Sequence, residues 1–163
     1  MEFLHKDTTD KILKAYYKVY NALGFGFLEK VYENALYIEL LSMGLTVEKQ
    51  KHIKVYYEGK EVGDYFADLL VENRVIIELK AAESLCEEHE AQLVNYLKAT
   101  ETEIGFLLNF GKKAEFKRKI FTNDKKKLKS VSISLIGPIS VLLKLKNNHD
   151  IRIKSTQPRR INN

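Results

Sequence analysis

Three residues in the middle of the chain could act together chemically: Asp68, Glu78 and Lys80. The segments that carry them, residues 62–71 and 75–80, are rich in apolar and β-branched residues and read as strands joined by the turn Glu72-Asn73-Arg74. With that turn centred on Asn73, residues equidistant from it face each other, and Asp68 lies opposite Glu78. Side chains paired across a ladder stand about 4.5–5.5 Å apart at Cβ. Two carboxylates that close repel and need either a proton or a cation between them. A divalent metal would satisfy both. Lys80, two residues beyond Glu78, points to the same face of its strand. The ordinary alternative is a Glu–Lys ion pair on a solvated strand, and a slip of register by one residue would separate the groups.

Two further sets sit on helices. Glu29, Tyr32, Leu36 and Leu40 form one stripe at helical spacing, and a carboxylate on a mostly apolar stripe is costly unless paired or metal-bound. The bland reading of Glu29 is a first-turn anion favoured by the helix dipole. His89, Gln92 and Tyr96 share a face of a later helix and could orient a water or a phosphate if that face covers the strand bearing Lys80. Otherwise they are its solvent side, with Leu85, Leu93 and Leu97 packed inward.

The elements that must position these groups can be read in order. Residues 8–23 predict a helix capped at Thr8 or Thr9, broken by Gly24 and Gly26, and residues 27–43 predict a second, ended by Gly44. Residues 47–57 alternate as a strand before the turn Glu58-Gly59-Lys60. After the two strands around Asn73, Ser84-Leu85-Cys86-Glu87 has the form of a capping box for a helix from Leu85 to about Ala99. Ile104–Phe110 is an apolar run of the kind a buried strand shows, and Glu115–Phe121 predicts a last strand. The expected fold is α/β with a mixed sheet and helices against it, in the order α-α-β-β-β-α-β-β. A domain over 1–124 is expected, followed by a basic extension over 125–163, partly disordered, with an apolar stretch at Val131–Leu145.

Composition bounds the chemistry. The 163 residues, 45% hydrophobic and 30% charged, suit one globular domain. No apolar run approaches the roughly 18 residues of a membrane span. The N-terminal MEFLHKDTTDKI has neither an apolar h-region nor a small-residue cleavage site, so a cytoplasmic protein is expected. The one cysteine, Cys86, cannot form an internal disulfide, a zinc ribbon or an iron–sulfur site alone, and four scattered histidines lack zinc spacing. Any metal is therefore expected to be a hard cation held by oxygen. Residues 1–111 carry 12 Lys+Arg against 19 Asp+Glu, whereas residues 112–163 carry 15 against 3. That basic half either contacts phosphates or is a solvated tail; Lys112, Lys113, Lys117, Arg118 and Lys119 are its candidate nucleic-acid contacts within the domain's last elements.

The segment Gly26-Phe27-Leu28-Glu29-Lys30-Val31-Tyr32 resembles the signature of the GxxExxY proteins, a family within the PD-(D/E)XK nuclease superfamily. The resemblance continues in order through residues 47–81 and 89–100 to GFLLNFG, over roughly residues 8–120. It implies a restriction-endonuclease-like core and a Mg²⁺- or Mn²⁺-dependent nuclease acting on nucleic acid, DNA before RNA. Asp68 would be the strand aspartate, and Glu78 and Lys80 the Glu-x-Lys pair. Glu29 would complete the metal shell with Asp68, Glu78 and the Leu79 carbonyl. Gln92 and Tyr96 resemble the QxxxY motif of RecB-like nucleases, which helps hold DNA. The residue before Asp68 is Ala67 rather than proline. Two rivals stand beside this reading: a nucleic-acid-binding module of the same fold that does not cut, and a protein-interaction subunit of a larger complex. A homo-oligomer is compatible with the sequence and not specified by it.

Overall fold

The computed structural model describes residues 5–126; expectations for the basic extension beyond Lys126 and for Val131–Leu145 lie outside the described residues. Eight elements follow the expected order: α1 (Lys6–Leu23), α2 (Glu29–Ser42), β1 (Val47–Tyr57), β2 (Lys60–Val71), β3 (Val75–Lys80), α3 (Glu87–Ala99), β4 (Ile104–Phe110) and β5 (Ala114–Ile120), with a short 3₁₀ turn at Asn123–Lys125. The strands form one sheet in the order β1-β2-β3-β4-β5. All neighbours are antiparallel except β3 and β4, which run parallel because α3 carries the chain between them.

Strand alternation divides the core in two. Val75, Ile77 and Leu79 of β3, with Ile104, Phe106 and Leu108 of β4, meet Ile12, Tyr16, Leu36 and Leu40 of α1 and α2. Ile76 and Leu107 face the other way, against Leu93, Tyr96 and Leu97 of α3. The central strands are covered on both faces, so their sequences are apolar at nearly every position. Gly105 leaves room for α3: a Cβ there would come within 2.6 Å of the Leu93 side chain.

The turn after β2 holds Glu72 and Asn73 at φ 53° and 52°, with Arg74 N–H donating to Val71 O at 2.9 Å. These paired left-handed residues match the twist of a hairpin and fix the register Val71↔Val75, Leu70↔Ile76, Leu69↔Ile77 expected from Asn73.

Helix starts differ from the sequence reading. His5, rather than Thr8 or Thr9, precedes α1, and Thr9 sits inside the helix with its hydroxyl donating to Lys6 O. α3 begins at Glu87 rather than Leu85, because Glu115 Oε2 takes the Leu85 N–H at 3.2 Å and the chain stays extended to Cys86. The Cys86 N–H then donates to His89 Nδ1 at 3.4 Å, so the box is Cys86–His89 and not Ser84–Glu87.

Tyr32 ties the helical layer together. Its buried ring stacks on Phe110 with centroids 4.2 Å apart. Its hydroxyl donates to Gly24 O at 2.8 Å and accepts from Phe27 N–H at 3.1 Å, pinning the α1–α2 loop. Tyr32→Phe keeps the stack and strands both backbone groups, so urea denaturation is expected to show a loss of about 1–3 kcal/mol. A change below about 0.5 kcal/mol would mean that the loop finds other partners.

Candidate active site

Asp68 stands where the sheet opens. The β2–β3 ladder runs from Val71↔Val75 to Leu69↔Ile77, and beyond it the carboxylates take the place of backbone acceptors. Asp68 N–H donates to Glu78 Oε1 at 3.2 Å, and Leu79 N–H donates to Asp68 Oδ2 at 2.8 Å. The expected juxtaposition of Asp68 and Glu78 is therefore present, as a side-chain-to-backbone clasp across the fork. Glu78 is 3% exposed. Burial, then the charge of Asp68, push its carboxyl up to about 8. Asp68 is raised as well, first by burial and then by Glu33 and Glu29, against the Leu79 N–H and Lys80, which lower it.

Lys80 does not close onto the pair. Its Nζ donates to Gln92 Oε1 at 3.1 Å, and Gln92 Nε2 donates to Tyr96 Oη at 2.9 Å. α3 thus holds the ammonium through a relay that joins Lys80, Gln92 and Tyr96, as the shared face of that helix implied. Burial raises the Tyr96 phenol, with smaller contributions from Glu78 and Asp68. His89 leaves the relay because the helix cap occupies it.

A cleft of about 730 Å³ lies on the α2 side, lined by residues 26–30 together with Glu33, Gln50, Asp68 and Ala81. Glu29, exposed in the first turn of α2, borders this cleft and raises both carboxyls electrostatically. It does not close on the pair: among the described residues, no three His, Cys, Asp or Glu side chains converge into a ligand set. Glu33, one turn further along α2, was not singled out from sequence. It is 4% exposed, accepts from Lys30 Nζ at 2.8 Å and from Gln50 Nε2 at 2.9 Å, and stands ahead of Glu29 among the charges acting on Asp68. Its signal was the i, i+4 spacing from Glu29.

Asn109 is a second residue that the sequence concealed. It pairs with Lys80 across β3–β4, is fully buried, and clasps Ala82 twice: Oδ1 accepts its N–H and Nδ2 donates to its carbonyl, both at 3.0 Å. The chain leaving Lys80 is fixed by that clasp. Gly111 makes room for it, since a Cβ there would sit 2.3 Å from Ala82 O.

The basic candidates do not form one patch. Lys112 and Lys113 are exposed in the β4–β5 turn. Lys117 and Lys119 alternate along β5 and both ion-pair with Glu90 of α3, whereas Arg118 lies opposite Phe106 on the other face.

As a donor set the fork fits a hard divalent cation. It offers two oxygen-only carboxylates whose charges oppose each other, Glu78 buried and Asp68 half-buried, with no thiol or imidazole among the residues of the clasp.

The model of the PD-(D/E)XK nuclease superfamily matches residues 6–119. The chain belongs to that superfamily, and its mixed sheet with helices on both faces is a restriction-endonuclease-like core. Among solved structures, it is similar to the crystal structure of SSO0001 at 18% identity and TM-score 0.48, over 81% of this chain and 61% of that one. It is also similar to an alkaline exonuclease (LHK-Exo) from Laribacter hongkongensis at 11% identity and TM-score 0.44, over 76% and 71% of the two chains. A search of curated proteins returns no match. Among the described residues, no helix is long and apolar enough to cross a membrane.

Proposed function

We propose that this protein is a Mg²⁺- or Mn²⁺-dependent nuclease that hydrolyses phosphodiester bonds in DNA. The observation that carries the reading is the clasped pair Asp68–Glu78 at the opening of the sheet, with Lys80 held beside it by Gln92. Asp68 and Glu78, with the Leu79 carbonyl, would hold the cation; Glu29 at the cleft border would complete the shell directly or through water. The cation would supply Lewis-acid polarisation of the phosphodiester and acidification of water.

The chain's own groups do the rest. The Leu79 N–H fixes one Asp68 oxygen and the Asp68 N–H one Glu78 oxygen, which leaves the second oxygen of each carboxylate to bind. Lys80 presents a positive donor where charge builds up on the phosphorus oxygens. Gln92 sets the direction of that ammonium, and Tyr96 sets Gln92. The spacing of Gly26, Glu29 and Tyr32 resembles the GxxExxY signature and that of Gln92 and Tyr96 the QxxxY motif, and both support a role on nucleic acid.

The test is incubation of the full chain with linear, circular and single-stranded DNA in Mg²⁺, Mn²⁺ or EDTA, beside Glu78→Ala. Metal-dependent cutting by the parent, lost in the variant, is expected. Cutting at equal rates by both would sink the site assignment. Salt-sensitive binding without cutting would move the reading to a binding module.

A further inference from the structure

Gln50 is an anomaly in a regular strand. It sits in β1 with φ 51°, a left-handed conformation that a non-glycine residue seldom adopts inside a ladder. Its cross-strand position is that of Asp68. Lys49 pairs with Leu69 and Lys51 with Ala67, but the Gln50–Asp68 step between them is unpaired.

At this step the alternation slips in both strands. On β2, Leu69 and Val71 face the α1–α2 core, and regular alternation would place Ala67 there too; instead Ala67 joins Leu70 on the α3 side. On β1, Val47 packs with the α1–α2 core, whereas Ile53, three alternations later, packs with α3. Lys49 and Gln50, although consecutive, both reach α2: Lys49 donates to Asn34 Oδ1 at 2.5 Å, and Gln50 Nε2 to Glu33 Oε2 at 2.9 Å. Such a local irregularity re-aims a side chain. Without it Asp68 would share the face of Leu70 and Ile76, under α3. With it Asp68 borders the cleft beside Glu33 and Gln50.

We infer that Gln50 is a positioning residue: its left-handed backbone, tethered to Glu33, turns Asp68 from the α3 face into the cleft. The functional meaning of this rests on the nuclease reading; the geometry does not. The tether gives the strain a purpose, because the Gln50 amide holds a residue that the strand alone would return to an extended conformation. Glu33 is itself held by Lys30 and therefore acts as a fixed post.

The experiment compares the full-length parent with Gln50→Val and Gln50→Gly. Glycine takes positive φ freely and valine resists it. Amide hydrogen exchange of Leu79 is followed in EDTA, and Mn²⁺ binding by electron paramagnetic resonance. In Gln50→Val, Leu79 should exchange about tenfold faster and Mn²⁺ affinity should fall about tenfold, the size of a left-handed backbone penalty. Amides of Ile104–Phe110 should be unchanged. Gln50→Gly should stay within about threefold of the parent in both, since glycine adopts the left-handed conformation without strain and so has less need of the tether. Parent-like behaviour of Gln50→Val overturns the inference, and so does a loss in Gln50→Gly as large as in Gln50→Val. A parent that fails to bind Mn²⁺ would count against the nuclease reading, while the Leu79 exchange would still decide the inference. If Gln50→Val does not fold, Gln50→Ala against Gln50→Gly makes the same comparison.

Discussion

Lys80→Ala is expected to lower the rate of DNA cleavage about 10²–10⁴-fold, the range for losing a positioned donor that acts on developing charge. The same substitution should leave Mn²⁺ affinity unchanged or tighter. Lys80 lowers the pKa of both carboxyls, so its positive charge competes with any cation for the same pair. A ligand to the metal, or a residue that merely held the fold, would show the opposite pattern, with binding and cutting falling together. kcat should carry most of the loss and KM little, because the contact matters chiefly in the transition state. Lys80→Arg should not restore the rate: the guanidinium is a planar fork, and the Gln92 Oε1 that receives Nζ at 3.1 Å is placed for a compact ammonium. Gln92→Ala should give a smaller fall of the same kind, since the ammonium remains and only its direction is released. Cleavage that declines only in proportion to Mn²⁺ occupancy would remove Lys80 from the chemistry.

Much of this site was legible because its information is local. The turn at Glu72–Arg74 fixes the register of its hairpin, and extending that register past Leu69↔Ile77 leads to the level at which Asp68 and Glu78 clasp. The relay from Lys80 to Tyr96 follows from helical spacing once α3 is known to cross the β3–β4 sheet. What stayed hidden depends on tertiary context. A positive φ at glutamine has no sequence signature, so the slip at Gln50 and Asp68 could not be read. Asn109 lay inside an apolar run, where its clasp on Ala82 belongs to a segment 27 residues away. Glu29 drew notice as a carboxylate on an apolar stripe, while Glu33, the more buried of the two, looked like an ordinary helix residue. Charge counting offered Lys117, Arg118 and Lys119 together as candidate nucleic-acid contacts; a strand sends neighbours to opposite faces, and Glu90 pairs with two of them. The start of α3 moved because Glu115, a distant residue, captured the Leu85 N–H.

Glu78→Gln is expected to stabilise the metal-free protein, and more so the higher the pH. Glu78 ordinarily titrates at 4.5 and is pushed up to about 8 in the folded chain, by burial first and Asp68 second. Between those values the folded state binds the proton that the unfolded state has released, so stability falls as pH rises through the window and levels off above it. At pH 5 or below the carboxyl is neutral in the folded protein and costs little. At pH 9 the parent must either bury a second negative charge beside Asp68 or open the fork. Glutamine keeps the shape and the oxygen that accepts the Asp68 N–H, and it carries no charge. In EDTA at pH 9 the gain should be a few kcal/mol, a rise in Tm on the order of 10 °C, shrinking to nothing near pH 5. Mg²⁺ should reverse the order, because a cation stabilises the charged pair by mass action and finds a weaker site in the variant. The destabilising charge is then what the cation needs, and the stable variant should be the inactive one. Glu78→Gln melting below the parent at pH 9 in EDTA would show that the clasp is already relieved by the chain's own groups, and that Lys80 reaches the pair when no cation is there.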